Sequence, residues 1–175
     1  PLFKVGAGSQ AIVEIHNSQF SDAGSGCIEA YQSQSEIIIS NTEFYRCDGP
    51  AIWARQTNLQ LENITIGSET STGLDLIQPD GYLNGLNALL FDGEGNIIRI
   101  DNENGQFPIS NVIGKTGQSA GISGQNNRAL NLDFIEIHGS PAIDFDESAG
   151  TLSNLRLYGS GSGTACLLYT SDAAD

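Results

Sequence analysis

The sequence predicts an all-β solenoid: a coil of parallel sheets, about seven turns of about 20 to 24 residues each, with no substantial helix. Three observations predict it. An Asn between apolar residues, in the pattern I-x-N-x-x-F, recurs at Asn17, Asn41, Asn63, Asn87, Asn111 and Asn154, and Phe134 takes the Asn position once. Apolar residues alternate with polar ones on both sides of that marker. A second alternating run follows about eleven residues after most markers.

The first strand of each turn leads up to the marker. Its inward columns read Val13, Ile37, Leu59, Leu83, Phe107, Leu130 and Gly150, then Ile15, Ile39, Leu61, Gly85, Ile109, Leu132 and Leu152. The second strand leaves the marker with Ser18, Thr42, Ile64, Ala88, Val112, Ile135 and Leu155, then Phe20, Phe44, Ile66, Leu90, Gly114, Ile137 and Leu157. Spacing of two is strand periodicity, because successive side chains leave a strand on opposite faces. The inward parity shifts across the Asn, as a bend between two strands requires. Asn suits such a bend because it tolerates left-handed backbone and bonds locally. Stacked in successive turns, Asn17, Asn41, Asn63, Asn87, Asn111 and Asn154 are expected to form a structural ladder of side-chain amides.

The third strand has inward columns Ile28, Ile52, Leu74, Ile98, Ile122, Ile143 and Ala30, Ala54, Leu76, Ile100, Gly124, Phe145. Two echoes support the register: Gly49-Pro50-Ala51-Ile52 matches Ser140-Pro141-Ala142-Ile143, and Leu59–Ile66 matches Leu130–Ile137. Each turn rises by one interstrand spacing, so seven turns give a rod of roughly 30 Å. The segments between strands lack a helical period with capping signals.

The repeat length, the N-x-x-F/I marker and the strand starts G-x-A-I and Gly26-Cys27-Ile28 resemble right-handed parallel β-helix repeat proteins of the pectin-lyase-like superfamily, over about residues 9–165. The resemblance implies a right-handed coil. Leucine-rich repeats fit less well, because a second strand stands where their helical or 3₁₀ return segment belongs. The last ten residues, Cys166–Asp175, depart from the repeat and resemble a translated sequencing-library adapter. The chain is therefore read as a β-helix fragment over 1–165, obtained by environmental sequencing, with an artefactual tail over 166–175.

The chain carries 7 Lys and Arg against 21 Asp and Glu, a formal charge of −14. That balance argues against nucleic acid, which needs a basic face, and against anionic membranes. No apolar run is long enough to span a bilayer. An acidic, Lys-poor solenoid suits a secreted or cell-surface setting. Cys27 and Cys47 allow two readings, buried thiols or a bridge between neighbouring turns.

The same register predicts which side chains leave the rod together. On the third strand, Glu29, Trp53, Asp75, Arg99, Ser123 and Asp144 form one outward column, and Tyr31, Arg55, Ile77, Asp101, Gln125 and Asp146 form the next. Glu29, Tyr31, Trp53, Arg55, Asp75, Arg99 and Asp101 are the candidate ligand face. Aromatic rings stack on sugar rings, and carboxylates and Arg bond hydroxyls. The plainer reading is a solvated face with cross-strand pairs such as Asp75–Arg99.

The resemblance implies two function classes. One is a non-catalytic structural or adhesive module contacting a glycan or another surface protein. The other is a fragment of a polysaccharide-degrading enzyme, a glycoside hydrolase or lyase. The N-x-D, D-D, G-H-G and R-x-K motifs of polygalacturonase-like members are absent, which favours the first. Asp144 and Asp146 are the weak catalytic candidates, about 7 Å apart along one strand face. Asp92, Glu94, Asn96 and Glu103 have a spacing similar to a calcium-binding EF-hand loop, but Ile97 occupies the position that needs Gly. A D-G turn accounts for them equally, so no cofactor is expected, with Ca²⁺ the one ion to consider.

Overall fold

The computed structural model describes all residues except 7, 9, 33–34, 91–94, 104, 118, 160–165 and 170–175, and only the backbone of 166–169. It is a parallel β-solenoid of about six turns, and no helix occurs among the described residues. One sheet stacks β1 (Phe3–Val5), β4 (Ile28–Tyr31), β6 (Pro50–Arg55), β8 (Thr72–Ile77), β10 (Ile98–Asp101), β12 (Ile122–Gln125), β14 (Ile143–Asp146) and β16 (Cys166–Tyr169) in that order. The other contains β2 (Ile12–His16), β3 (Gln19–Ala23), β5 (Glu36–Cys47), β7 (Asn58–Ile66), β9 (Asp80–Leu90), β11 (Phe107–Thr116), β13 (Leu130–Gly139) and β15 (Gly150–Gly159). In this second sheet, β2 and β3 both pair with β5, and each later strand pairs with the next.

The long strands of the second sheet run through the bend without breaking. The bend is one residue in left-handed backbone: Asn17, Asn41, Asn63, Asn111 and Asn154 have φ between 48° and 55°, Phe134 has 53° and Gly85 has 88°. A left-handed residue inverts side-chain parity, which is why apolar side chains point inward on both sides of it. These Asn side chains are exposed. Asn63 Nδ2 donates to Asn41 Oδ1 at 3.2 Å, whereas Asn111 donates to Asn84 Oδ1 and Asn154 to Asp133 Oδ1, each at 2.7 Å. The first bond joins two bend residues, whereas the other two run to the residue before a bend, where Gly85 and Phe134 take the place of Asn.

One turn departs from the sequence pattern. Ile64 pairs with Leu86 and Val112 pairs with Leu86, so the residue in the bend column is Gly85 and not Asn87. Asn87 is exposed and pairs with Thr65 and Ile113. The inward residues of this turn are therefore Gly81, Leu83, Leu86 and Ala88, two positions earlier than the marker spacing implies. The physical reason is uneven turn length. Asn41 and Asn63 lie 22 residues apart, but Asn84 and Ser110 on neighbouring rungs lie 26 apart. Gly reaches φ > 0 without steric cost, so it serves where Asn serves elsewhere. A Cβ on Gly85 would stand 2.8 Å from Asn63 Oδ1.

The interior is one continuous apolar column. Ile28, Ile52, Leu74, Ile98, Ile122 and Ile143 stack in register and are fully buried. Phe20 and Phe44 stack with centroids 5.4 Å apart. Large and small residues alternate where space demands: Ile97 fills the slot beside Gly114, where a Cβ would meet its Cδ1 at 2.5 Å. Fully burying one Ile or Leu stabilises the fold by about 1.5 to 3 kcal/mol, so such columns carry most of the favourable energy.

Cys27 and Cys47 form a disulfide, Cα atoms 5.6 Å apart, with both residues fully buried. Ala23 pairs with Cys47 and Cys27 N bonds Pro50 O, so the bridge ties the corner after β3 to the end of β5 one turn on. At the far end, Cys166–Tyr169 pairs in parallel with Ile143–Asp146 as a further rung of the first sheet.

Candidate ligand-binding face

The outward side chains of the first sheet form two columns, and both follow the register expected from the sequence. Glu29, Trp53, Asp75, Arg99, Ser123 and Asp144 are consecutive ladder partners. So are Tyr31, Arg55, Ile77, Asp101, Gln125 and Asp146. Lys4 extends the first column below Glu29, a member that sequence reading missed because β1 lies before the first marker. Its signal is the alternation Phe3-Lys4-Val5.

The lower half of the face is aromatic. Tyr31 and Trp53 are both half-buried, with ring centroids 6.3 Å apart and planes tilted by 43°. Lys4 Nζ lies 5.0 Å from the Tyr31 centroid and 3.2 Å from Glu29 Oε2. A cation on one ring and a second ring at an angle make a short polar-edged apolar step. Arg55 stands beside Trp53 on the same strand and is exposed.

The upper half is ionic. Arg99 Nη1 is 3.9 Å from Asp75 Oδ1, and Arg99 Nη2 is 3.5 Å from Asp101 Oδ2. Gln125 N donates to Asp101 Oδ1 at 2.8 Å, fixing that carboxylate. Asp75 is the least exposed of the three. Its Oδ1 is buried without a hydrogen-bond partner. Burial pushes its carboxyl above the usual carboxylate range, Arg99 opposes the rise, and the Asp101 charge adds to it. Above this pair, a depression of about 240 Å³ is lined by Asn96, Arg99, Asp101, Ser123, Gln125, Asp144 and Asp146. The two weak catalytic candidates thus share a concavity with Arg99.

Of the calcium candidates, Asp92 and Glu94 lie outside the described residues. Asn96 donates to Ser123 Oγ at 2.5 Å, and Glu103 is exposed beyond β10. Among the described residues, no group of three or more His, Cys, Asp or Glu is placed to hold a metal ion. Two buried corner residues were also not foreseen. Asn102 Nδ2 bonds Pro79 O, and Asn127 Nδ2 bonds Ile100 O, so each closes a corner against the rung below. Gln, Thr, Pro, Glu or Ser stands after the third strand in the other turns, so no repeat column marked these two.

Compared with protein-family models, curated proteins and solved structures, the chain has no significant match.

Proposed function

We propose that the chain is a non-catalytic β-helix module, of the pectin-lyase-like kind, from a secreted or cell-surface protein. In this reading it is a structural or adhesive rod that presents the Tyr31–Trp53 face to an extracellular glycan or another surface protein. The observation that carries the reading is that aromatic pair, edged by Lys4, Glu29 and Arg55 on a hydrogen-bonded parallel sheet. Rings in fixed positions stack on a sugar without first losing conformational freedom. The buried Cys27–Cys47 bridge supports an oxidising compartment. The acidic balance supports neutral partners over nucleic acid. No resident cofactor enters the reading. The test is a glycan array probed with folded wild type and Trp53→Ala. Binding that Trp53→Ala abolishes supports the face, and binding indifferent to Trp53 rejects it.

A second reading, a polysaccharide-degrading enzyme, is favoured by one observation: Asp144, Asp146, Asp101 and Arg99 line a common depression. Glycoside hydrolysis needs two carboxylates flanking the scissile bond. Release of reducing sugar that disappears in both Asp144→Asn and Asp146→Asn supports it. Activity unaffected by either removes these residues from the chemistry.

A further inference from the structure

We propose that a groove on the second sheet, walled by Phe134 and Ile113, binds a neutral glycan by stacking a pyranose ring on Phe134. This shares only the ligand class with the reading above and lies on a different sheet.

Phe134 is the anomaly in the bend column. Every other described position there is Asn or Gly, the residues that accept left-handed backbone. Phe134 adopts φ 53° all the same, and 58% of it is exposed. Among the described non-glycine residues at positive φ, Phe134 is the one apolar side chain, the others being Asn, Asp, Gln, Glu or Arg, and bulky apolar residues held there gather at functional sites. The ring gains little from the core in exchange, so packing does not account for it.

Its surroundings suit a sugar. Ile113, 57% exposed, pairs with Glu136 on the strand that carries Phe134. Phe134, Ile113, Asn111, Glu136, Asn154 and Arg156 line a groove of about 490 Å³. Its rim is charge-balanced: Arg156 Nη1 donates to Glu136 Oε2 at 3.4 Å, and His138 Nε2 lies 3.9 Å from Glu136 Oε1. A carboxylate–guanidinium pair offers hydroxyls both acceptors and donors while adding no net charge. An anionic ligand would meet Glu136 and the field of a chain carrying −14. A ring with one apolar face and a hydroxylated edge matches both wall and rim. Further along, His138 and Tyr158 stack 4.2 Å apart, a second ring surface in the neighbouring outward column.

The decisive variant is Phe134→Asn, which restores the residue of the other bends and should leave the melting point unchanged or raised. Wild type, Phe134→Asn and Trp53→Ala are titrated calorimetrically with short neutral glucans, mannans and galactans, and with uronate oligomers as the anionic set. The expected result is binding of a neutral glycan, weakened about tenfold or more in folded Phe134→Asn and retained in Trp53→Ala. Binding lost only in Trp53→Ala assigns the sugar to the first sheet and overturns the groove while leaving the earlier reading intact. Binding confined to uronates, or no neutral glycan bound at millimolar concentration, also overturns it. So does a dimer of the chain, seen by sedimentation, that Phe134→Asn dissolves, because the occupant is then a second copy.

Discussion

Asn63 Nδ2 donates a 3.2 Å hydrogen bond to Asn41 Oδ1, joining adjacent bends whose backbones are both left-handed, φ 51° and 48°. Both side chains are exposed, so the bond competes with water and adds little by itself. The backbone preference is the larger effect. Asn63→Ala is expected to cost about 1 to 2 kcal/mol, because a Cβ-bearing residue without a local hydrogen-bonding group pays the left-handed penalty. Asn63→Gly removes the same hydrogen bond and the penalty together. Urea unfolding should therefore place Gly close to wild type and Ala well below it. Equal losses in the two variants would assign the effect to the side-chain bond instead.

The bridge between Cys27 and Cys47 closes a sequence separation of 20 residues. In the chain-entropy account, a loop of that size restricts the unfolded ensemble enough to add about 3 kcal/mol. Peptide mapping without reduction should recover the two cysteines joined. Unfolding under reducing conditions should shift the denaturant midpoint down by a corresponding amount. A midpoint indifferent to reductant would show that the two corners are held by the sheet alone.

Gly85 and Asn87 should respond unequally to the same substitution. Gly85→Ala puts a Cβ at φ 88° and close to Asn63, and is expected to cost about 1 to 2 kcal/mol. Asn87 is exposed on an ordinary strand position, so Asn87→Ala should stay within about 0.5 kcal/mol. Thermal melts of the two variants check this directly.

That pair of residues also marks how far the sequence could be read. The Ile28-to-Ile143 column is legible because inward positions on a short strand repeat strictly and loop insertions fall outside it. The outward columns follow by parity, so Trp53 beside Asp75 and Arg55 beside Ile77 could be placed without coordinates. Gly85 is not legible, since glycine takes the left-handed bend with no side chain to mark it, and the neighbouring turn lengths hide the slip behind a plausible Asn. The consequences of burial are equally hidden. Parity places Asp75 on the outward face, and only packing around the rod shows that its carboxylate is half-buried with a raised proton affinity. The stacked Phe20–Phe44 pair was legible as inward spacing. The exposed Phe134 was visible as an exception, but its exposure was not.

Asp75 gives a pH signature. Its folded-state carboxyl has a raised pKa, with burial the first cause, so the folded chain binds the proton more tightly than the unfolded chain does. Below the unfolded value both states are protonated and the group is neutral in effect. As pH rises from there, the unfolded state ionises first, and stability falls until the folded carboxyl has ionised as well. Above that pH the full penalty remains. Asp75→Asn should accordingly raise the melting point at neutral pH and lose its advantage below the ordinary carboxylate range, near pH 3.8. Arg99→Gln should act in the reverse sense at neutral pH, since it removes the cation that opposes the shift. Melting curves of both variants from acid to neutral pH separate the two effects. An Asp75→Asn difference that stays constant across that range would mean that the carboxyl is solvated and that its burial carries no electrostatic cost.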